Sequence, residues 1–577
     1  LEQLVKFKNI GWTSAAVSFT LVACTSSPTI VRPTALQQVD AKLVCDSLVG
    51  LKVPANAIGF ATNGAVVLTA TTVKDTDPSG AARTYCKLTG QILAIDSTAA
   101  PIRFQINLPQ QWNQRALQFG GGGTNGRVVT ADGAFTGAPS NLATPLARGY
   151  VTLGSDSGHD ATTKPPFDTS FALNQEELMN FAQWQIKKTL DVAKHLTQQV
   201  YGQKPIYVYF AGGSQGGHEA FDAAQRYPDD YDGIIAQYPA YNVINMWLGA
   251  QAQAKAIYGE RLNVASPAWL SPAKVANLVN LVRNECDALD GLTDGVISNV
   301  VACNARVTPQ SISKQLRCSE GKDIGDTCLS DAQLTAVAKV ASPVKFAFTF
   351  AGGSSSYPRW PVLEGATFAG VEHLGKTPVA DTSKLPFGPD GSAFQLFPAK
   401  GGIQGFITRD LKQDPLAFDP NQWVARIQQV SALTDATSTD LRRFAARGGK
   451  MLMTHGTIDD SISPHNSINY WEKLHAANGS DSVREFARFY LIPGYGHGNG
   501  LFKSAHDWLG TLERWVEQGQ SPKQLIARDD NNTERTKLTN GRTRPLCEYG
   551  SYPRYTGPTP ATQEQANDAR WFTCTAN

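Results

Sequence analysis

An α/β fold built on a mostly parallel sheet is what this chain predicts, on three observations. Short apolar runs such as Ala65–Ala70, Ile102–Leu108, Ala116–Phe119, Tyr150–Leu153 and Tyr207–Phe210 alternate with helical patterns such as Gln175–Val200. Strand and helix in turn is the pattern of a parallel sheet covered on both faces. Several of the runs end in glycine-rich loops, and sheets of this kind bind their ligands beyond the carboxyl ends of the strands. The chain has 577 residues, 42% of them apolar, which is enough for a large core and more than one folding unit.

The amino-terminal stretch is of another kind. Lys6 and Lys8 precede the apolar run Ala15–Ala23, too short to span a bilayer, and the run closes on Leu21-Val22-Ala23-Cys24. This resembles the lipobox of bacterial lipoproteins. The resemblance implies that residues 1–24 are an export signal, that Cys24 is the lipidated first residue of the mature chain, and that Thr25-Ser26-Ser27-Pro28 is a polar tether. A plain secretory signal is the other reading. Both imply export, to the periplasm or outer membrane of a Gram-negative bacterium.

With Cys24 set aside, eight of the nine cysteines remain, an even number suited to disulfides in an oxidising compartment. On the order of a hundred connectivities are open to eight cysteines. Nearest-neighbour pairing is the economical one: Cys45–Cys86, Cys286–Cys303, Cys318–Cys328 and Cys547–Cys574. Free thiols or a zinc site compete with it, but the sequence has no C-x-x-C pair or Cys/His cluster. The formal charge of +2 comes without a long run of either sign. Nothing therefore recruits nucleic acid, and a small molecule is the expected partner.

Residues 25–240 read as the first part of a sheet core. Residues 241–438 differ: they hold four of the eight cysteines, amphipathic helices such as Ser271–Asn284, and long Gly/Pro/Ser loops such as Ala351–Pro361. They read as an inserted domain hung over the site as a lid. The core resumes over 439–577.

The run Tyr207–Phe210 leads into Gly212-Gly213-Ser214-Gln215-Gly216 and then a helical stretch, which fits the G-x-S-x-G nucleophile elbow with Ser214 as nucleophile. Two later strands end in loops that carry Asp459 and His497. The order Ser214, Asp459, His497, each just past a predicted strand, is that of the α/β-hydrolases. A serine hydroxyl is a weak nucleophile at neutral pH, so His497 is expected to take its proton and Asp459 to hold the imidazole in one tautomer. Asp460 is the rival carboxylate, and His455, on an apolar strand, reads as structural. The N–H groups of Gln215 and of Gly120, at the head of the glycine loop 120–126, are expected to form an oxyanion hole.

Together these motifs resemble the tannase and feruloyl esterase family. The resemblance rests on 120–126 (GGGGTNG), 155–160 (SDSGHD), the Ser214 elbow, the acidic loop 286–296 (CDALDGLTDGV), 436–441 (ATSTDL), the Asp459 loop, His497 and 544–547 (RPLC). It covers nearly the whole mature chain. It implies an α/β-hydrolase core, a large lid, and hydrolysis of esters of aromatic or phenolic acids without an organic cofactor. By spacing alone, the three carboxylates of the acidic loop suit either a hard cation or an acidic surface turn. The resemblance implies structural calcium held by the Asp287, Asp290 and Asp294 side chains and the Leu292 and Val296 carbonyls. It also implies the nearest-neighbour disulfides.

One departure stands out. Many members of the family bridge a cysteine just before the nucleophile to one just after the catalytic histidine, where this chain has Gly213 and Gly498.

Within the family, feruloyl, chlorogenate or gallate esters are the first expectation. Terephthalate monoesters are the alternative, weakened because 399–406 (AKGGIQGF) lacks the arginine expected to grip a free carboxylate, although Lys400 or Arg409 could substitute. Trp360, Phe368, Phe394 and Phe406 are candidates for stacking on a phenolic ring. A lipid-anchored binding protein that kept the fold but lost activity is the reading from another class.

Overall fold

The computed structural model describes residues 38–40, 45–367, 374–384, 390–531 and 541–577. The signal segment 1–24 with Cys24, and Phe368, lie outside them. Ten strands form the main sheet: β1 (Lys52–Val53), β2 (Ala65–Thr76), β3 (Ala82–Ile92), β4 (Ile102–Pro109), β5 (Arg115–Phe119), β6 (Val151–Ser155), β7 (Tyr207–Gly213), β8 (Gly233–Gln237), β9 (Lys450–Gly456) and β10 (Ala487–Ile492). Their order is β10-β9-β8-β7-β5-β6-β4-β3-β2-β1. From β10 to β6 all neighbours are parallel, and from β6 to β1 they are antiparallel.

The central strands are apolar on both faces because both faces are covered. Val208 and Phe210 of β7 pack with Ile234, Met451 and Leu190 on one side. Tyr207, Tyr209 and Ala211 pack with Ile235, Leu452 and Trp508 on the other. Strand periodicity thus divides one run of residues between two cores. Helix α1 (Gln185–Tyr201) covers the first face, and β7 feeds directly into α2 (Gln215–Arg226).

β8 and β9 are adjacent parallel strands, with Gly233 opposite Lys450, yet the chain between them is a long, mostly helical insertion. It opens with α3 (Val243–Tyr258), a helix buried on nearly every side, as expected for one that is apolar all round. The core of the insertion holds Trp247, Trp360 and Phe406 and extends to Ile458 and Ile462 of the Asp459 loop. The described residues from 38 to 577 pack as one compact unit.

Four disulfides close local loops: Cys45–Cys86, Cys286–Cys303, Cys318–Cys328 and Cys547–Cys574, with Cα separations of 5.6, 5.1, 4.9 and 5.5 Å. Among the described residues no helix is long and apolar enough to cross a membrane.

Candidate active site

Ser214 sits between β7 and α2 at φ 61°, ψ −122°, a conformation that costs a non-glycine residue energy and persists only where neighbours enforce it. Here the neighbours are backbone groups. The Ser214 N–H donates to Gln237 O at 3.1 Å, and Ser214 O accepts from Ala240 N and His218 N, both at 3.1 Å. The elbow also lies against the glycine loop. A Cβ on Gly216 would stand 2.8 Å from Gly121 O and 2.9 Å from the Gly120 carbonyl carbon, so glycine is required for this approach.

Asp459 follows β9 and His497 follows β10, so three strands of one sheet carry the three side chains to the same edge. His497 Nδ1 donates to Asp459 Oδ2 at 2.9 Å. His497 and Ser214 line one cleft together. Asp459 is fully buried, and its other oxygen accepts from Ser461 N at 3.0 Å and Ile462 N at 2.9 Å. Burial by itself would raise this carboxyl. The charge of His497 and hydrogen bonds from His455 and His497 outweigh it and hold the group well below the usual carboxylate range. The carboxylate that meets His497 is therefore that of Asp459, not Asp460.

His455 is more than filler. Its Nε2 lies 3.3 Å from Asp459 Oδ2 and 2.9 Å from Ile462 O, while Nδ1 lies 2.8 Å from Ser467 Oγ. Two acceptors on one side fix the Nε2–H tautomer.

The glycine loop differs from expectation. The Gly120 N–H donates to Ala211 O at 3.0 Å, continuing the β5–β7 ladder, and the Gly121 N–H donates to Glu219 Oε2 at 2.9 Å. Neither is available to an oxyanion, so the assignment of Gly120 is corrected. The loop residue that reaches the cleft beside Ser214 and Gln215 is Gly123, at φ +59°. Gln215 is the first residue of α2, where helix N–H groups lack partners within the helix.

Glu219 is a feature the sequence reading passed over. It is 2% exposed, and its carboxylate grips both arms of the loop: Gly121 N–H through Oε2, and the Asn125 side chain through Oε1 at 2.5 Å, with Gln185 Nε2 at 3.2 Å. Burial pushes its carboxyl up to about 7, against the hydrogen bonds from Gly121 and Asn125, and Asp222 adds to the rise.

The cleft above Ser214 is walled by Phe167, Met246, Trp247, Phe394, Pro398 and Ile462. Phe394 meets Phe167 edge-on at 5.5 Å. Of the other aromatic candidates, Trp360 and Phe406 are buried in the core of the insertion. Among the described residues no Lys or Arg lines this cleft. Arg409 is turned away, donating to the Ala172 and Leu173 carbonyls at 3.2 and 2.6 Å.

The acidic loop is also arranged differently from a shared cation site. Asp287 accepts from Asp294 N and Gly295 N at 3.3 and 3.1 Å, and Asp290 from Leu292 N and Ser298 N at 3.1 and 3.0 Å. The Asp294 carboxylate is paired with Arg544 and lies 3.7 Å from Arg542 Nη1. Among the described residues no three His, Cys, Asp or Glu side chains are gathered closely enough to hold a metal ion. In this arrangement, of the residues expected to hold calcium (Asp287, Asp290, Leu292, Asp294 and Val296), Asp294 has its charge met by guanidinium groups.

Strand order, the elbow and the loops at the carboxyl ends of the strands define the class of this protein, an α/β-hydrolase. A family model, tannase and feruloyl esterase, matches residues 86–571, and the chain belongs to that family of carboxylic ester hydrolases. It is 36% identical over 524 residues to an uncharacterized esterase of Agrobacterium fabrum, covering 89% of this chain and 90% of that one. It is 30% identical over 553 residues to the mono(2-hydroxyethyl) terephthalate hydrolase of Piscinibacter sakaiensis, covering 86% and 87%. Among solved structures, feruloyl esterase B from Aspergillus oryzae superposes with a TM-score of 0.71 at 23% identity, covering 92% of this chain and 99% of that one. That last similarity speaks to the fold.

Proposed function

We propose that this carboxylesterase is an exported serine enzyme that cleaves esters of aromatic or phenolic acids through an acyl-enzyme. Ser214 Oγ attacks the ester carbonyl as His497 Nε2 takes its proton, and the tetrahedral oxyanion is met by the N–H groups of Gln215 and Gly123. Collapse expels the alcohol with the proton from His497. Water, activated by the same imidazole, then releases the acid. Asp459 stays ionised throughout and stabilises the imidazolium. The observation that carries this reading is the His497 Nδ1–Asp459 Oδ2 hydrogen bond of 2.9 Å in a cleft shared with Ser214.

The aromatic walls, with no Lys or Arg among the described residues that line the cleft, favour an uncharged aryl acyl group of feruloyl, chlorogenate or gallate type. The insertion then acts as the lid, because it supplies Trp247, Phe394 and Pro398. A terephthalate monoester is the second reading, favoured by the 30% identity to the hydrolase named for one and disfavoured because no described residue lining the cleft is a cation for its free carboxylate. An inactive binder is the weakest, since nothing but catalysis calls for a buried Asp459 paired with a half-buried His497 beside a strained serine.

Export and a lipid anchor at Cys24 belong to the same proposal; four disulfides suit an oxidising compartment. Calcium belongs to it as well: Asp287 and Asp290 turn their carboxylates into the same loop as Asp294, and a divalent ion would be held there if Asp294 exchanged Arg544 for metal.

The test is turnover of methyl ferulate, methyl gallate, chlorogenate and mono(2-hydroxyethyl) terephthalate by the wild-type chain and by Ser214→Ala. The variant is expected to lose roughly 10⁴- to 10⁶-fold in kcat. Retained activity in Ser214→Ala would end the serine mechanism, and preference for the terephthalate monoester would replace the substrate assignment.

A further inference from the structure

Tyr238 has no part in the chemistry above, yet its ring touches both ends of it. The residue follows β8 directly at φ +33°, a left-handed conformation that a bulky side chain adopts only under constraint. Its N–H is tied to Thr454 O at 2.7 Å, which plants it between the nucleophile strand and the acid strand. From there the ring, 4% exposed, passes between the two glycines that flank the reacting side chains. A Cβ on Gly213, just before Ser214, would stand 2.7 Å from Tyr238 Cε2 and Oη; one on Gly498, just after His497, would stand 3.3 Å from Oη. The Tyr238 and His497 rings are 4.5 Å apart between centroids. The hydroxyl is hydrogen-bonded to Thr136 and to Tyr495, in the His497 loop. Tyr238 is not among the residues lining the cleft.

Resting on the Ser214–His497 reading above, we infer that Tyr238 is a positioning residue for His497: an aromatic wedge between Gly213 and Gly498 that sets the spacing of histidine loop and nucleophile elbow. Packed against the imidazole, the ring also favours the cation that His497 becomes during attack. Glycine at 213 and 498 is the complement of this wedge. A side chain at 213 would overlap the ring and drive it aside.

The test is steady-state hydrolysis of p-nitrophenyl acetate by Tyr238→Gly, with and without added phenol, each value normalised to folded enzyme by circular dichroism. The expected result is a fall in kcat of about 10- to 100-fold with KM unchanged, as for a reacting group displaced by about an ångström, and recovery of kcat when phenol fills the vacated space. Gly213→Ala should impair the wild-type chain but add nothing to Tyr238→Gly, because the ring it would displace is gone. A folded Tyr238→Gly within about twofold of wild-type kcat, a loss that phenol does not restore, or full additivity with Gly213→Ala overturns the inference. If Tyr238→Gly does not fold, Tyr238→Leu and Gly213→Ala decide it. A loss in kcat at constant KM in both supports the wedge, and wild-type kcat in either overturns it. Ser214→Ala assayed alongside separates the two levels: its activity would sink the esterase mechanism itself, whereas an essential Ser214 with a dispensable Tyr238 sinks the wedge alone.

Discussion

Asp459 and Glu219 are both buried carboxylates bordering the reacting groups, Asp459 beneath the histidine loop and Glu219 beneath the glycine loop, and their charges are held in opposite ways. Asp459 faces two imidazoles and two backbone N–H groups, and His455 and His497 keep it ionised despite complete burial. Glu219 accepts from Gly121, Asn125 and Gln185, but the charged group that bears on it is Asp222, of like sign, and burial lifts its carboxyl to about 7. Hydrogen bonds alone do not settle a buried charge; a counter-charge does. The Asp459 carboxylate therefore stays ionised over the working range, while the glycine-loop side carries a carboxyl that titrates within it.

The sharpest way to break this contrast is Asp459→Asn. An amide there disturbs the tautomer of His497, and kcat should fall by about 10⁴-fold with the fold intact; a loss near tenfold would show that His497 is oriented mainly by its surroundings.

The next largest effect is expected at Glu219. Its folded-state value, about 7, lies above the ordinary glutamate value of 4.5. The folded chain thus holds a proton that the unfolded chain has released, and stability falls as pH rises from about 4.5 to about 7, by an amount on the order of 3 kcal/mol. Urea unfolding at pH 5 and pH 8 should show that decline in the wild type and a smaller one in Glu219→Gln. Because the amide can no longer accept from both arms of the loop, kcat should also drop, by about 10- to 100-fold. Equal pH slopes in the two proteins would remove the asymmetry between the two sides.

At the cleft wall, Phe394→Ala should raise KM for an aryl ester several-fold while leaving p-nitrophenyl acetate turnover nearly unchanged, as loss of one aromatic contact of about 0.5–1.5 kcal/mol implies. The smallest effect concerns the acidic loop. Millimolar calcium should stabilise the wild type by on the order of 1–2 kcal/mol if the ion binds the folded state alone, and Asp290→Asn should abolish the gain. A melting temperature indifferent to calcium and to chelator would mean that Arg544 and Arg542 are the loop's permanent counter-charge.

How far the site was legible follows the same division. The placement of Ser214, Asp459 and His497 past the ends of three strands could be read because each follows an apolar run, and parallel strands bring successive carboxyl ends to one edge. That the Gly120 N–H is taken up by Ala211 O could not. Four consecutive glycines look alike as letters, and which N–H stays free depends on how far the β5–β7 ladder runs and on a carboxylate ninety-odd residues downstream. The aromatic walls were half legible. Phe394 was among the candidates and does line the cleft, but Trp360 and Phe406, alike in composition, are buried in the core of the insertion.

The chain order of strands, loops and reactive residues was determined by the sequence alone, because local periodicity and glycine punctuation act over a few residues and need no distant partner. What only the tertiary structure decided are the pairings: His455 on Asp459, Glu219 under the glycine loop, Tyr238 between Gly213 and Gly498, Arg544 on Asp294. Each depends on two or more segments far apart in the chain meeting at hydrogen-bond or van der Waals distance, and such contacts follow from packing rather than from any pattern along one strand.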